Sequence, residues 1–150
     1  MSDLTHLYQE IILDHCKRPR NLRQIPDADR RAEGDNPLCG DTITLYLDLA
    51  EGRVADVAFQ GSGCAISTAS ASLLTEAVRG RTVEEAREMV AAFRELLTRG
   101  GAAESAEERL GKPAVLAGVR EYPMRVKCAT LAWHTLLAAL EEREQPVTTE

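Results

Sequence analysis

Apolar positions recur along the chain with two periods, and these divide it into elements. Leu4, Leu7, Tyr8, Ile11 and Ile12 fall at i, i+3, i+4, i+7 and i+8, one face of a helix that Pro19 helps to end. Asn21 to Asn36 carries no period and reads as an irregular polar segment. Ile43, Leu45, Leu47 and Leu49 alternate with Thr44, Tyr46 and Asp48, the pattern of a half-buried strand. After the turn residues Glu51-Gly52, Ala55, Val57 and Phe59 alternate again, so the two runs predict a hairpin, broken off at Gly61-Ser62-Gly63.

The rest reads as helices. The Ala- and Ser-rich run from Ala65 to Val78 predicts one, with Gly80 at its end. Thr82 and Glu85 have capping-box spacing ahead of the stripe Val83, Ala86, Met89, Val90, Phe93 and Leu97, which Gly100-Gly101 stops. Residues 102–118 have no clear period; a short helix from Ser105 and a loop at Pro113 are expected there. Ala129, Trp133, Leu136, Leu137 and Leu140 form a last helical stripe, with Cys128 at the start of that helix. The acidic tail after Glu141, with Pro146, is expected to fray. This order predicts an α+β fold, a small antiparallel sheet of about three strands packed against several helices.

Composition narrows the class. At 150 residues and 44% hydrophobic content, one domain spanning residues 1–150 with a real core is expected. With aromatics at only 4%, that core must be built from Leu, Val, Ile and Ala. The net charge of -6 argues against a nucleic-acid binder. Lys17, Arg18, Arg20, Arg23, Arg30 and Arg31 nevertheless cluster, either as a solvated surface or as a docking patch for an acidic partner. Acidic residues interrupt the N-terminal region where a secretory leader would be apolar, and no apolar segment is long enough to span a bilayer. The expectation is a cytoplasmic protein without membrane contact, whose four cysteines stay reduced and available for metal or thiol chemistry.

Three cysteines share a setting. Cys39 lies in a loop before the first strand, and Cys64 follows Gly63 at a helix start. Cys128, read at a helix start too, follows Arg125 and Lys127. Helix N-termini and nearby cations favour thiolate, the form that binds metal and attacks sulfur. Asp41 is two residues from Cys39, so three sulfurs and one carboxylate make a four-donor set that suits Zn²⁺, and cysteine-rich sets also suit iron–sulfur clusters. No C-x-x-C pair is present, and buried core cysteines are the other reading of this spacing. Cys16 and the histidines His6, His15 and His134 read as surface or core residues, with His15 the one to watch.

The motifs Gly34-Asp35-Asn36-Pro37-Leu38-Cys39-Gly40-Asp41, Gly61-Ser62-Gly63-Cys64-Ala65-Ile66-Ser67 and Arg125-Val126-Lys127-Cys128-Ala129-Thr130-Leu131-Ala132-Trp133 resemble, in order, the three cysteine motifs of the NifU-like/IscU family of iron–sulfur assembly proteins. The start, Leu7-Tyr8 through His15 to Pro19-Arg20-Asn21, is similar too. Within the family the chain looks like the SufU branch. Lys127 stands where IscU proteins carry histidine, Tyr122-Pro123-Met124-Arg125-Val126-Lys127 replaces an LPPVK-type chaperone motif, and residues 100–118 look like the SufU insertion. The resemblance implies a zinc site of Cys39, Asp41, Cys64 and Cys128, with Arg125 and Lys127 offsetting its negative charge. It further implies a pyridoxal-phosphate-dependent cysteine desulfurase as partner and Cys39 as sulfur acceptor. In the family's scaffold picture, iron and a nascent iron–sulfur cluster occupy the same residues and pass to apo-proteins or a downstream scaffold. The insertion, being polar, is expected to form a partner surface.

Overall fold

The computed structural model describes residues 2–98, 108–142 and 147–148. In order these form α1 (Ser2–Lys17), β1 (Arg30–Asn36), β2 (Asp41–Ala50), β3 (Arg53–Ser62), α2 (Ala65–Val78), α3 (Val83–Thr98), a 3-10 helix (Lys112–Glu121), α4 (Pro123–Leu140) and β4 (Val147–Thr148). The sheet order is β3-β2-β1-β4, with the first three strands antiparallel and β4 parallel to β1. The expected α+β architecture is therefore present. The stop expected at Gly100-Gly101, the helix start at Ser105 and Pro146 of the tail lie outside the described residues.

The hairpin forms where alternation placed it. Glu51 and Gly52 both take positive φ, 53° and 76°, which matches the twist of the strands they join. Ile43, Leu45, Leu47, Val57 and Phe59 point into the main core beneath α2, α3 and α4. The opposite face of the hairpin is covered as well, since Tyr46 and Ala58 are buried under Ile25. The second strand does not break at Gly61: it runs on to Ser62, paired with Thr42.

The segment Asn21–Asn36, read as irregular, contains β1. Its inward positions are Ala32, Gly34 and Asn36, too small or too polar to register as an apolar alternation. Smallness is what the position demands. A Cβ on Gly34 would collide with Thr135 Oγ1 and come within 3.1 Å of Leu131 Cδ1 and 3.3 Å of Ile43 Cγ2, so glycine lets α4 lie flush on β1. The tail expected to fray is ordered in part. Val147 and Thr148, both β-branched, pair with Gly34 and Asp35 on the open edge of β1.

Among the helices, α2 has the expected bounds, and the capping box holds. Thr82 N donates to Glu85 Oε1 and Glu85 N to Thr82 Oγ1, both at 3.0 Å. These bonds hold the Glu85 carboxyl below its usual value. Two expectations change. The insertion is not a polar surface throughout, and Pro113 lies in no loop: Leu110, Ala114, Val115 and Leu116 are buried in the core, the last three on a 3-10 helix that starts at Lys112 with Pro113 in its first turn. And α4 begins at Pro123, so Cys128 lies in its second turn rather than at its N-terminus. Trp133 of α4 stacks on Phe93 of α3 at 4.4 Å. Its Nε1–H donates to Ser70 Oγ of α2 at 3.0 Å, and that hydroxyl donates to Ala129 O at 2.5 Å. One serine thus ties the helix that follows Cys64 to the helix that carries Cys128.

Candidate metal centre

Two loops, the head of β2 and a helix converge at one end of the sheet. Asn36 and Asp41 face each other across β1 and β2, and the loop between them carries Cys39. The turn is set by Asn36. Its Oδ1 accepts from Leu38 N at 3.2 Å, and its carbonyl accepts from Cys39 N at 3.2 Å and Gly40 N at 2.8 Å. Gly40, at φ 74°, closes it. Cys39 is consequently lifted into solvent beside Leu38, which is 59% exposed.

Asp41 heads β2 and is wholly buried. Its Oδ1 accepts from Cys64 N at 2.9 Å, and its Oδ2 lies 4.0 Å from Cys64 Sγ. A Cβ on Gly63 would come within 2.7 Å of that Oδ1, so the residue before Cys64 must be small for the carboxylate to sit there. Cys64 is the N-cap of α2, where its sulfur accepts from Ser67 N at 3.4 Å, as the helix-start argument anticipated. For Cys128 that argument does not apply. It is buried in α4, 3.3 Å from Cys39 Sγ, and Asn36 Nδ2 donates to its sulfur at 3.8 Å. Burial pushes the Cys128 thiol far up, and donation toward Asp41, Cys39 and Cys64 adds to the effect.

The donor atoms of Cys39, Asp41 and Cys128 lie within 4.8 Å of one another. Cys64 stands just outside that trio, next to Asp41. The donor set fits a zinc ion: with Zn–S near 2.3 Å, tetrahedral donors sit about 3.8 Å apart, and the 3.3 Å and 4.0 Å contacts bracket that spacing. A buried carboxylate and a buried thiol side by side are also what a cation would relieve.

The other predicted residues are placed as follows. Arg125 is exposed on the rim of the groove that Cys39, Cys64 and Cys128 line, its guanidinium 5.1 Å from the Tyr122 ring centre. Lys127 is half-buried next to Cys128. Cys16 is half-buried at the end of α1, and is not among the clustered donors. His15 is buried and bonds Ser72 Oγ at 2.7 Å, while the side chain of His6 lies outside the described residues. Of the basic cluster, Arg18, Arg20, Arg23, Arg30 and Arg31 each face a carboxylate of this chain, which favours the solvated reading. Sequence reasoning left Asn36 and Ser67 without a role. The Asn-Pro dipeptide at 36–37 was the available signal for the first.

The family model described as NifU-like N terminal domain matches residues 7–141. The chain is similar to the iron–sulfur cluster assembly scaffold protein IscU of Streptococcus pyogenes serotype M1, 42% identical across 94% of this chain and 87% of that protein. It is also similar to the zinc-dependent sulfurtransferase SufU of Bacillus subtilis, 38% identical across 95% of each. Among solved structures, a candidate iron–sulfur cluster assembly scaffold protein for the SUF system from Fervidobacterium islandicum matches with a TM-score of 0.82 and 38% identity, over 87% of this chain and 94% of that one.

Proposed function

The chain belongs to the NifU-like N-terminal domain family, and on that premise we propose that it serves iron–sulfur cluster assembly by accepting sulfur at Cys39 from a pyridoxal-phosphate-dependent cysteine desulfurase. The observation that carries this reading is the inequality of the sulfurs. Cys39 is exposed on a loop, whereas Cys128 is buried in a helix and bonded by Asn36. An acceptor must reach into a partner; an anchor must not move.

Zinc held by Cys39, Asp41, Cys64 and Cys128 would supply a redox-inert Lewis acid that keeps thiols ionised at neutral pH. The protein's own part is positional. Ser67 N fixes Cys64, Cys64 N fixes Asp41, and α4 fixes Cys128. The Cys39 thiolate then attacks the terminal sulfur of the donor's cysteine persulfide. A new S–S bond forms on Cys39, the donor's own S–S bond breaks, and the donor sulfur leaves with the electron pair as a thiolate. Arg125 and Lys127 lie beside the site and offset its negative charge. The proposed setting is the cytoplasm, a reducing compartment in which thiols stay available for metal and sulfur chemistry. No described helix is long and apolar enough to cross a membrane.

The similarity to scaffold proteins supports a second reading. Iron and sulfide are then cargo, built on the same residues and passed to apo-proteins, with Asp41 as the oxygen ligand that lets go. One experiment separates the two: desulfurase turnover with zinc-loaded protein and no iron. Acceleration by wild type that Cys39→Ser abolishes establishes sulfur acceptance. No acceleration by either removes it, and anaerobic assembly of a coloured, transferable cluster becomes the test of the scaffold reading.

A further inference from the structure

Every polar atom of the Asn36 side chain is committed to the metal centre. The residue is wholly buried at the last position of β1, opposite Asp41. Its Oδ1 takes the Leu38 N–H, one residue from Cys39, and its Nδ2 donates to Cys128 Sγ at 3.8 Å. The orientation of the amide follows from its neighbours, since an N–H must meet the oxygen and the NH₂ is left for sulfur. One planar group therefore touches the loop of the exposed cysteine and the sulfur of the buried one, although the two cysteines lie 89 residues apart in sequence.

We propose that Asn36 is a positioning residue of this centre: its amide holds Cys128 in place and shapes the loop from which Cys39 works. The inference rests on the sulfur-acceptance reading, and it adds a division of labour among the ligands. The loop of Cys39 is held by the Asn36 carbonyl and Oδ1 through main-chain N–H groups, leaving the Cys39 side chain free to turn outward. The Cys128 sulfur itself receives an amide N–H. When Cys39 turns toward a donor, its 3.3 Å contact with Cys128 opens, while the bond from Asn36 to Cys128 stays in place. A hydrogen bond to a ligand sulfur also orients it and spreads its charge, which eases the gathering of several negative donors around one ion.

The test uses Asn36→Ser in the full chain. Serine keeps a short acceptor for the Leu38 N–H, but its hydroxyl ends one atom short of the amide nitrogen and does not carry a donor to Cys128. Cobalt(II) replaces zinc as the probe, because its sulfur-to-metal charge-transfer band responds to the electron density on sulfur. The expected result is a wild-type far-ultraviolet dichroism spectrum, a charge-transfer band moved to lower energy, and zinc affinity reduced about tenfold in chelator competition. In the desulfurase assay, kcat should fall with KM unchanged. Asn36→Asp, which preserves shape and acceptor but replaces the donor with oxygen, should move the band the same way and guards against a cavity effect in the serine variant. A wild-type band position and zinc affinity in both variants would overturn the proposal. Because the cobalt spectrum needs no desulfurase, it decides the role of Asn36 even if wild type fails to accelerate turnover, in which case the sulfur-acceptance reading fails separately.

Discussion

Replacing Gly34 with alanine is the sharpest packing test of how the sheet and the cysteine-bearing helix are joined. The added Cβ would collide with Thr135 Oγ1 and press on Leu131 Cδ1 at 3.1 Å and Ile43 Cγ2 at 3.3 Å. All three neighbours belong to well-packed surroundings, since Leu131, Thr135 and Ile43 are buried. Overpacking of this size costs about 1–3 kcal/mol, and the loss of chain entropy on replacing glycine returns about 0.4–1 kcal/mol, because Gly34 has an ordinary strand backbone. The net expectation is a loss of about 1–2 kcal/mol, which for a chain of this size lowers Tm by about 2–8 °C. Thr135→Ala removes the colliding oxygen. Its hydroxyl only back-bonds to Leu131 O within the helix, so alone it should change little. The double variant should recover most of the loss, with a coupling of about 1 kcal/mol between the two positions. Gly118→Ala is the control: its Cβ meets nothing within 4 Å, so stability should hold or rise slightly. Thermal unfolding with chelator present measures all four. If Gly34→Ala melts with wild type, or Thr135→Ala fails to rescue it, the close approach of α4 to β1 is wrong.

Two further outcomes follow from titration and burial. Burial, seconded by Arg20, holds the His15 imidazole below its ordinary value of 6.5. The unfolded chain therefore takes up the proton first, and stability is complete above pH 6.5 and declines as pH falls toward the folded value. Tm measured across about pH 5–7 should show that slope in wild type and lose it in His15→Gln; an unchanged slope would remove His15 as its source. After zinc chelation, a thiol reagent should modify Cys39 and Cys64 quickly and Cys128 slowly, since Cys128 is buried and its thiol pushed up. Peptide mapping after brief labelling reads the order, and early modification of Cys128 would contradict its burial.

The parts of this fold that were legible in the sequence are those whose signal is chemical and local. Thr82 and Glu85 announce a helix start because each side chain answers the other's N–H. Ile43, Leu45 and Leu47 announce a strand because large apolar residues alternate. β1 was hidden because its buried side chains are chosen for fit against α4, and Ala32, Gly34 and Asn36 leave no apolar trace. The insertion is hard to read in its second half because a 3-10 helix has no 3.6-residue stripe to recognise, although Ala114, Val115 and Leu116 all turn inward. At the candidate site, Cys39, Asp41 and Cys128 stand out in the sequence, and the structure brings their donor atoms together. Their unequal exposure was not readable, because it depends on where α4 starts and on a turn held by Asn36.

Trp133 is the chain's single tryptophan, and its place makes it a native optical probe. The indole is shielded from water, stacked on Phe93 and bonded to a serine on α2. Its emission colour and lifetime therefore depend on the contact between the helices that follow Cys64 and contain Cys128. Any event at the site that shifts this contact reports itself through that emission in real time, with no label attached to a cysteine.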